Sequence, residues 1–151
     1  MTSELLKDFA IKLVKEAESD LKSAEMQLRE SRFHKAVFDS QQCVEKIMKS
    51  ALALEGLTQI YDHDPTSLFI SEIITRVNND TINELREMIK ETDWLMEQYS
   101  FTRYVRLRSR RVISPLEFYK KRDAEQAIQI AKNAMTTIKK LLKKFYNLDI
   151  S

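Results

Sequence analysis

The stretch FHKAVFDSQQCVEKIMKSALALEG, residues 33–56, decides the fold. Phe33, Val37, Ser40, Val44, Ile47, Ala51 and Leu54 recur at spacings of three and four without a miss, which lines small and apolar side chains along one stripe of a helix. Gly56 stands where a left-handed residue ends a helix, with Leu57 behind it. A helix with one apolar stripe needs neighbours to cover it, and both flanks supply them. Upstream, Ala10, Leu13, Ala17, Leu21, Ala24 and Leu28 predict a helix from near Ser3 to about Glu30, roughly 40 Å long at 1.5 Å per residue. Ser31 is placed to cap the start of the second helix.

Downstream, Asp64-Pro65 reads as a cap followed by proline at the first helical position, opening a short helix through Leu68, Ile70, Ile73, Ile74 and Val77. Asn78-Asn79-Asp80 ends it. Thr81-Ile82-Asn83-Glu84 has the form of a capping box, and the helix it starts carries Ile82, Leu85, Ile89 and Met96, with Met88 and Leu95 beside them, to about Ser100. Residues 101–122 lack a helical pattern, although Ser114-Pro115-Leu116-Glu117 could seed one turn. A last helix from about Lys121 keeps Ala124, Ala127, Ala131, Ala134, Ile138, Leu141 and Phe145 on one side. The expectation is an all-α, antiparallel up-and-down bundle of four main helices plus a short helix, forming a single domain over residues 1–151.

Composition agrees. One Gly and two Pro among 151 residues leave almost no material for the tight turns that hairpins require, so an all-β fold and a glycine-rich phosphate loop are close to excluded. At 43% hydrophobic and 32% charged, the chain is too apolar to be disordered and too charged to span a membrane, so a cytoplasmic location is expected. Cys43 has no partner for an internal disulfide, and with only His34 and His63 beside it no metal site or other cofactor is expected. Cys43 reads as an inert core thiol, the Met residues and Trp94 as packing, and His34, beside the inward Phe33, as a local hydrogen-bonding residue.

A formal net charge of +2 conceals a strong polarity. Residues 103–122 hold eight cations and one carboxylate, a net +7, which leaves 17 cations and 22 carboxylates, a net −5, elsewhere. Arg103, Arg106, Arg108, Arg110 and Arg111 fall within nine positions, interleaved with Tyr104, Val105 and Leu107. Guanidinium groups bind phosphate oxygens bidentately and stack on bases, so this pattern suits a phosphate-bearing ligand. Lys46 and Lys49, outside the stripe of the second helix, are candidates for further phosphate contacts, and His63, between two aspartates, is a weaker candidate.

The second helix and the segments after it resemble the HEPN domain. The resemblance rests on Ala17 and Leu21, on Phe33-His34-Lys35-Ala36-Val37-Phe38, and on Gln41-Gln42-Cys43-Val44-Glu45-Lys46 with Lys49. His63-Asp64 with Leu68, the pair Arg103-Tyr104, and Tyr119 with Asp123, Ala124 and Ala127 come next in order. It implies a helical bundle, often a homodimer, that binds nucleotides or RNA and works beside a separately encoded minimal nucleotidyltransferase in a two-gene, toxin–antitoxin-like system. Some members are metal-independent ribonuclease toxins that use Arg-x(4–6)-His, with His as acid/base and Arg stabilising phosphate charge. Here no histidine follows Arg103, since His63 is the last in the chain, and Arg29 to His34 falls at the first interhelix turn. The leading expectation is therefore a non-catalytic or weakly catalytic binder of nucleotide or RNA through Arg103, Tyr104, Arg106, Arg108, Arg110, Arg111, Lys46 and Lys49. A divergent ribonuclease using Arg103 and His63 is the second reading, and a pure protein-interaction module the third.

Overall fold

The computed structural model describes residues 1–151, the Asn79 side chain excepted. It is an all-α bundle in which helices α1 (Ser3–Arg29), α2 (Phe33–Leu54), α4 (Asn79–Phe101) and α6 (Lys121–Tyr146) form the body. Short helices α3 (Thr66–Glu72) and α5 (Pro115–Phe118), and a 3₁₀ turn at Ile74–Arg76, fill the connections. α2 is the central element: α1 runs along it, α6 and α4 pack on its other sides, and α3 and α5 touch it at the connections. The stripe read from its sequence faces inward, with Val37, Ser40, Val44, Ile47 and Ala51 buried. Small residues occupy the matching stripes, Ala10, Ala17 and Ala24 on α1 and Ala124, Ala127, Ala131 and Ala134 on α6, which lets the helix axes approach closely. Ion pairs tie the helices outside this core: Lys46 to Asp20 at 2.8 Å, Lys139 to Glu18 at 3.2 Å and Lys140 to Glu84 at 3.3 Å.

The helix ends depart from the expected caps. Ser31 is not the N-cap of α2. It takes a left-handed conformation (φ 58°) as the residue that ends α1, with Ser31 N–H bonded to Leu28 O and Arg32 N–H to Gln27 O. Three residues must both end one helix and begin the next, and the stop motif occupies them. The same motif recurs at Gly56 (φ 88°), where Gly56 N–H bonds to Ala53 O and Leu57 N–H to Leu52 O, as its sequence predicts. α3 begins at Thr66 and not at Pro65, and Asp64 serves it through a bond from Thr66 N–H. It stops at Glu72, with the 3₁₀ turn covering Ile74–Arg76. Thr81 does not open α4: Asn78 caps it by accepting from Thr81 N–H at 3.1 Å, so the polar run read as a stop is the start of the next helix.

The segment read as irregular contains a β-hairpin, β1 (Arg106–Arg108) paired antiparallel with β2 (Arg111–Ile113). The glycine argument against tight turns fails here because Ser109 (φ 49°) and Arg110 (φ 64°) adopt the left-handed conformation themselves. Arg106 lies opposite Ile113 and Leu107 opposite Val112. Behind the hairpin, Tyr119 is buried and donates its hydroxyl to Gln98 Oε1 at 2.6 Å, pinning the α5–α6 corner to α4. No described helix is long and apolar enough to cross a membrane.

Candidate nucleic-acid interface

The site begins with polar residues of α2 that flank its apolar stripe, two of them buried. Gln41 is fully buried and donates to the His63 carbonyl at 3.0 Å, while Gln42 donates to Gln41 Oε1 at 2.7 Å. Glu45, also buried, pairs with Lys49 at 2.8 Å and lies 3.4 Å from His63 Nδ1. The Gln-Gln-x-Val-Glu-Lys run is thus a clamp that holds the loop after Gly56 against α2 and fixes His63. Burying an amide and a carboxylate is tolerable because each finds partners there.

From His63 the chain of contacts continues to Arg103. The imidazole stacks on the Tyr99 ring, with centroids 3.9 Å apart and an interplanar angle of 14°. Arg103 lies over the same ring, its Cζ 4.8 Å from the centroid, and donates through Nη1 to the Tyr99 hydroxyl. Tyr104, at 5.2 Å, and Phe38, at 5.9 Å, complete the aromatic surround of the guanidinium. The fold therefore brings His63, from the loop after α2, and Arg103, from the end of α4, to one aromatic ring.

Beside this cluster lies a cleft of about 600 Å³ whose lining includes Phe38, Tyr99, Arg103, Lys35, His34 and Val105. Aromatic rings supply its apolar surface, and Lys35 and Arg103 its charge. His34 is not the satisfied local group expected of it: its Nδ1 is sealed from solvent without a hydrogen-bond partner. Desolvation, then the positive charge of Lys35 and Arg32, holds its pKa below the usual 6.5, so the ring is neutral at neutral pH. Phe38, Tyr99, His34 and Lys35 were not singled out from the sequence as ligand-contacting residues. The signal available for Phe38 was its position one residue past the inward Val37, where an aromatic on a helix flank needs a reason to be there.

The hairpin extends the positive surface. Arg106 has its Cζ 4.1 Å from the Phe101 ring centre and 5.2 Å from that of Phe118, while its Nε and Nη1 are buried without an acceptor. With Nε and Nη1 sealed from solvent, neither two-nitrogen edge of this guanidinium is open, so Arg106 offers an outside oxygen a single contact at most and adds mainly its positive charge. Arg108, Arg110 and Arg111 are exposed, and among the described residues none of the five loop arginines forms an ion pair. Lys46 and Lys49 are not part of this group. Lys46 is turned to Asp20 and Glu16 on α1, and Lys49 to Glu45, because α2 places them toward the α1 side. Cys43 is fully buried and burial pushes its thiol up to about 12, which removes it as a nucleophile. Among the described residues no group of His, Cys, Asp and Glu could hold a metal ion.

Comparison with known proteins agrees with this outline. The HEPN domain model matches residues 10–141. A Methanocaldococcus jannaschii protein named "Putative toxin MJ1304" is 33% identical over 141 residues, covering 93% of this chain and 92% of its own. The crystal structure of ST0689, described as an archaeal HEPN homologue, superposes with a TM-score of 0.63 at 28% identity, covering 89% of this chain and 98% of that one. TT1696 from Thermus thermophilus shares the fold, with a TM-score of 0.64 at 23% identity over 87% of this chain and 96% of its own. The chain belongs to the HEPN domain family.

Proposed function

We propose that this protein is an RNA-binding HEPN protein of the toxin type, the partner of a minimal nucleotidyltransferase in a two-gene system. The supporting observation is the set of loop arginines without ion pairs, Arg103, Arg106, Arg108, Arg110 and Arg111, standing beside an aromatic-lined cleft. Elsewhere the bundle pairs lysines with carboxylates across its helices. Cations left free beside exposed aromatic rings suit single-stranded nucleic acid, whose phosphates take the guanidinium groups and whose bases stack. A base enters the cleft against Phe38 and Tyr99, its phosphate meets Arg103 and Lys35, and the hairpin arginines follow the strand. The toxin-type role rests on the M. jannaschii relative's name, and the partner on the family resemblance.

Anisotropy of a labelled single-stranded RNA tests the reading. Affinity should fall steeply from low to moderate salt, and Arg103→Ala with Arg106→Ala should weaken it further and flatten the salt dependence. Binding unchanged by both salt and substitution removes the proposal. Co-purification with a nucleotidyltransferase from a neighbouring gene tests the partner separately.

One arrangement favours a second reading, a metal-independent ribonuclease. Glu45 faces His63 Nδ1, leaving Nε2 to exchange a proton, while Arg103 across Tyr99 is placed to stabilise phosphate charge. Labelled RNA incubated with the wild type, His63→Ala and Arg103→Ala decides it. Cleavage lost in both variants supports the enzyme, and cleavage that survives either points to a contaminant.

A further inference from the structure

The cleft beside Phe38 and Tyr99 holds hydrogen-bonding groups that phosphate contacts leave unused. Among the described residues no carboxylate and no side-chain amide lines it. Lys35 and Arg103 are the charged members and suit a phosphate. The Tyr99 hydroxyl accepts from Arg103, and Thr102 spends its proton on the Gln98 and Tyr99 carbonyls of its own helix, at 3.0 and 3.2 Å. What remains for the edge of a base is His34 and the Ser114 hydroxyl. Ser114 precedes α5 without capping it through its side chain, so its hydroxyl is free to donate or to accept.

His34 works in one direction only. Burial, then the charge of Lys35 and Arg32, keeps the imidazole neutral at neutral pH, so it carries a single proton. Nδ1 is sealed in the protein without a partner, and Nε2 is not sealed in this way. A proton on Nδ1 would be a buried donor with no acceptor, whereas on Nε2 it reaches the cleft or water. The ring therefore offers Nε2–H, and its lone-pair nitrogen faces no ligand. His34 lies in the first turn of α2, four residues before Phe38 and on the same face, so a base stacked against Phe38 is within reach of this donor.

Bases divide by what they present to a donor. Uracil and guanine carry a carbonyl oxygen where cytosine and adenine carry an amino group. Against Nε2–H the carbonyl accepts, while the amino group sets donor against donor. The side chains that read amino groups are carboxylates and amides, which this lining lacks. We propose, on the reading that this cleft binds RNA, that it selects uracil and guanine over cytosine and adenine, with His34 Nε2 as the selecting donor. Stacking alone predicts the opposite order among the pyrimidines, since uracil is the weaker stacker.

Anisotropy of labelled oligouridine and oligocytidine of equal length is the test, because backbone charge is then the same. Oligouridine should bind about fivefold tighter or more. His34→Ala should bring the ratio to about one. His34→Glu should reverse it, since a carboxylate accepts from the cytosine amino group, even as its charge lowers both affinities. A single guanosine set in oligocytidine should likewise bind better than a single adenosine there. Far-UV circular dichroism confirms that both variants keep their helices. Salt-dependent binding of equal strength to both oligomers, or a preference that survives His34→Ala, overturns the selection and leaves the RNA site standing. Binding to neither oligomer overturns both.

Discussion

The helical body and the 103–122 segment are made from the same residue types and treat them in opposite ways. In the body, lysines meet carboxylates across helix interfaces, as Lys46 meets Asp20 and Lys139 meets Glu18, and branched apolar side chains are buried. In the segment, arginines rest on aromatic rings without a carboxylate, and Leu107 and Val112 point into water. The body's charge is spent on its own fold, and the segment's charge is left for something outside the chain. A part that is not needed for folding should be changeable without unfolding, and that difference can be attacked directly.

The largest effect should come from the body. Ile47→Ala, in the fully buried stripe of α2, should lower unfolding free energy by about 2–5 kcal/mol in urea titrations. Arg108→Gln with Arg111→Gln should stay within about 0.5 kcal/mol of wild type. Similar losses from the two would erase the distinction. Gln41→Ala comes next, at about 1–3 kcal/mol, because it strips the His63 carbonyl of its donor. Amide exchange should quicken most between residues 57 and 65, and exchange that quickens evenly would show that the loop is not a separate unit.

A smaller gain should come from Arg110→Gly, which relieves a left-handed side chain in the hairpin turn by at most about 1 kcal/mol. The benefit should appear as slower exchange of hairpin amides with the global midpoint nearly unmoved. The smallest effect belongs to Asp39, which desolvation raises above 3.8 despite a 2.7 Å bond from the Ser23 hydroxyl. A raised acid binds its proton more readily when folded, so the ionised form is a penalty near neutral pH that fades as pH falls through the raised pKa. Asp39→Asn keeps an acceptor for Ser23 and should stabilise by less than about 1 kcal/mol at neutral pH, the side chain being only partly buried, with the advantage vanishing on acidification.

The body was legible because its signal is local. The three-and-four spacing of α2 reports burial residue by residue, and Gly56 marks its end. Caps were less so, since Ser31, Thr81 and Asn78 are all competent cap residues and the choice depends on how neighbouring helices share a short connection. The hairpin escaped detection for a specific reason: its turn is built from Ser109 and Arg110, residues whose intrinsic preference argues against it. At the site, clustered charge pointed to Arg103 and its neighbours, but the partners of Arg103 lie far away in sequence. Nothing in the spacing of Phe38, His63 and Tyr99 reveals that they converge, because that convergence is made by three helix packings and one buried glutamine.

The His63–Tyr99 stack has a consequence for observation. At 3.9 Å and nearly parallel, the imidazole lies in the shielding region of the phenol ring, so its carbon-bound protons should resonate upfield of those of a free histidine. Release of the loop from α2, or entry of a base that competes for the Tyr99 face, would return them toward ordinary values. With only two histidines in the chain, the assignment is simple. The state of the cleft can therefore be followed in a one-dimensional proton spectrum, without a label.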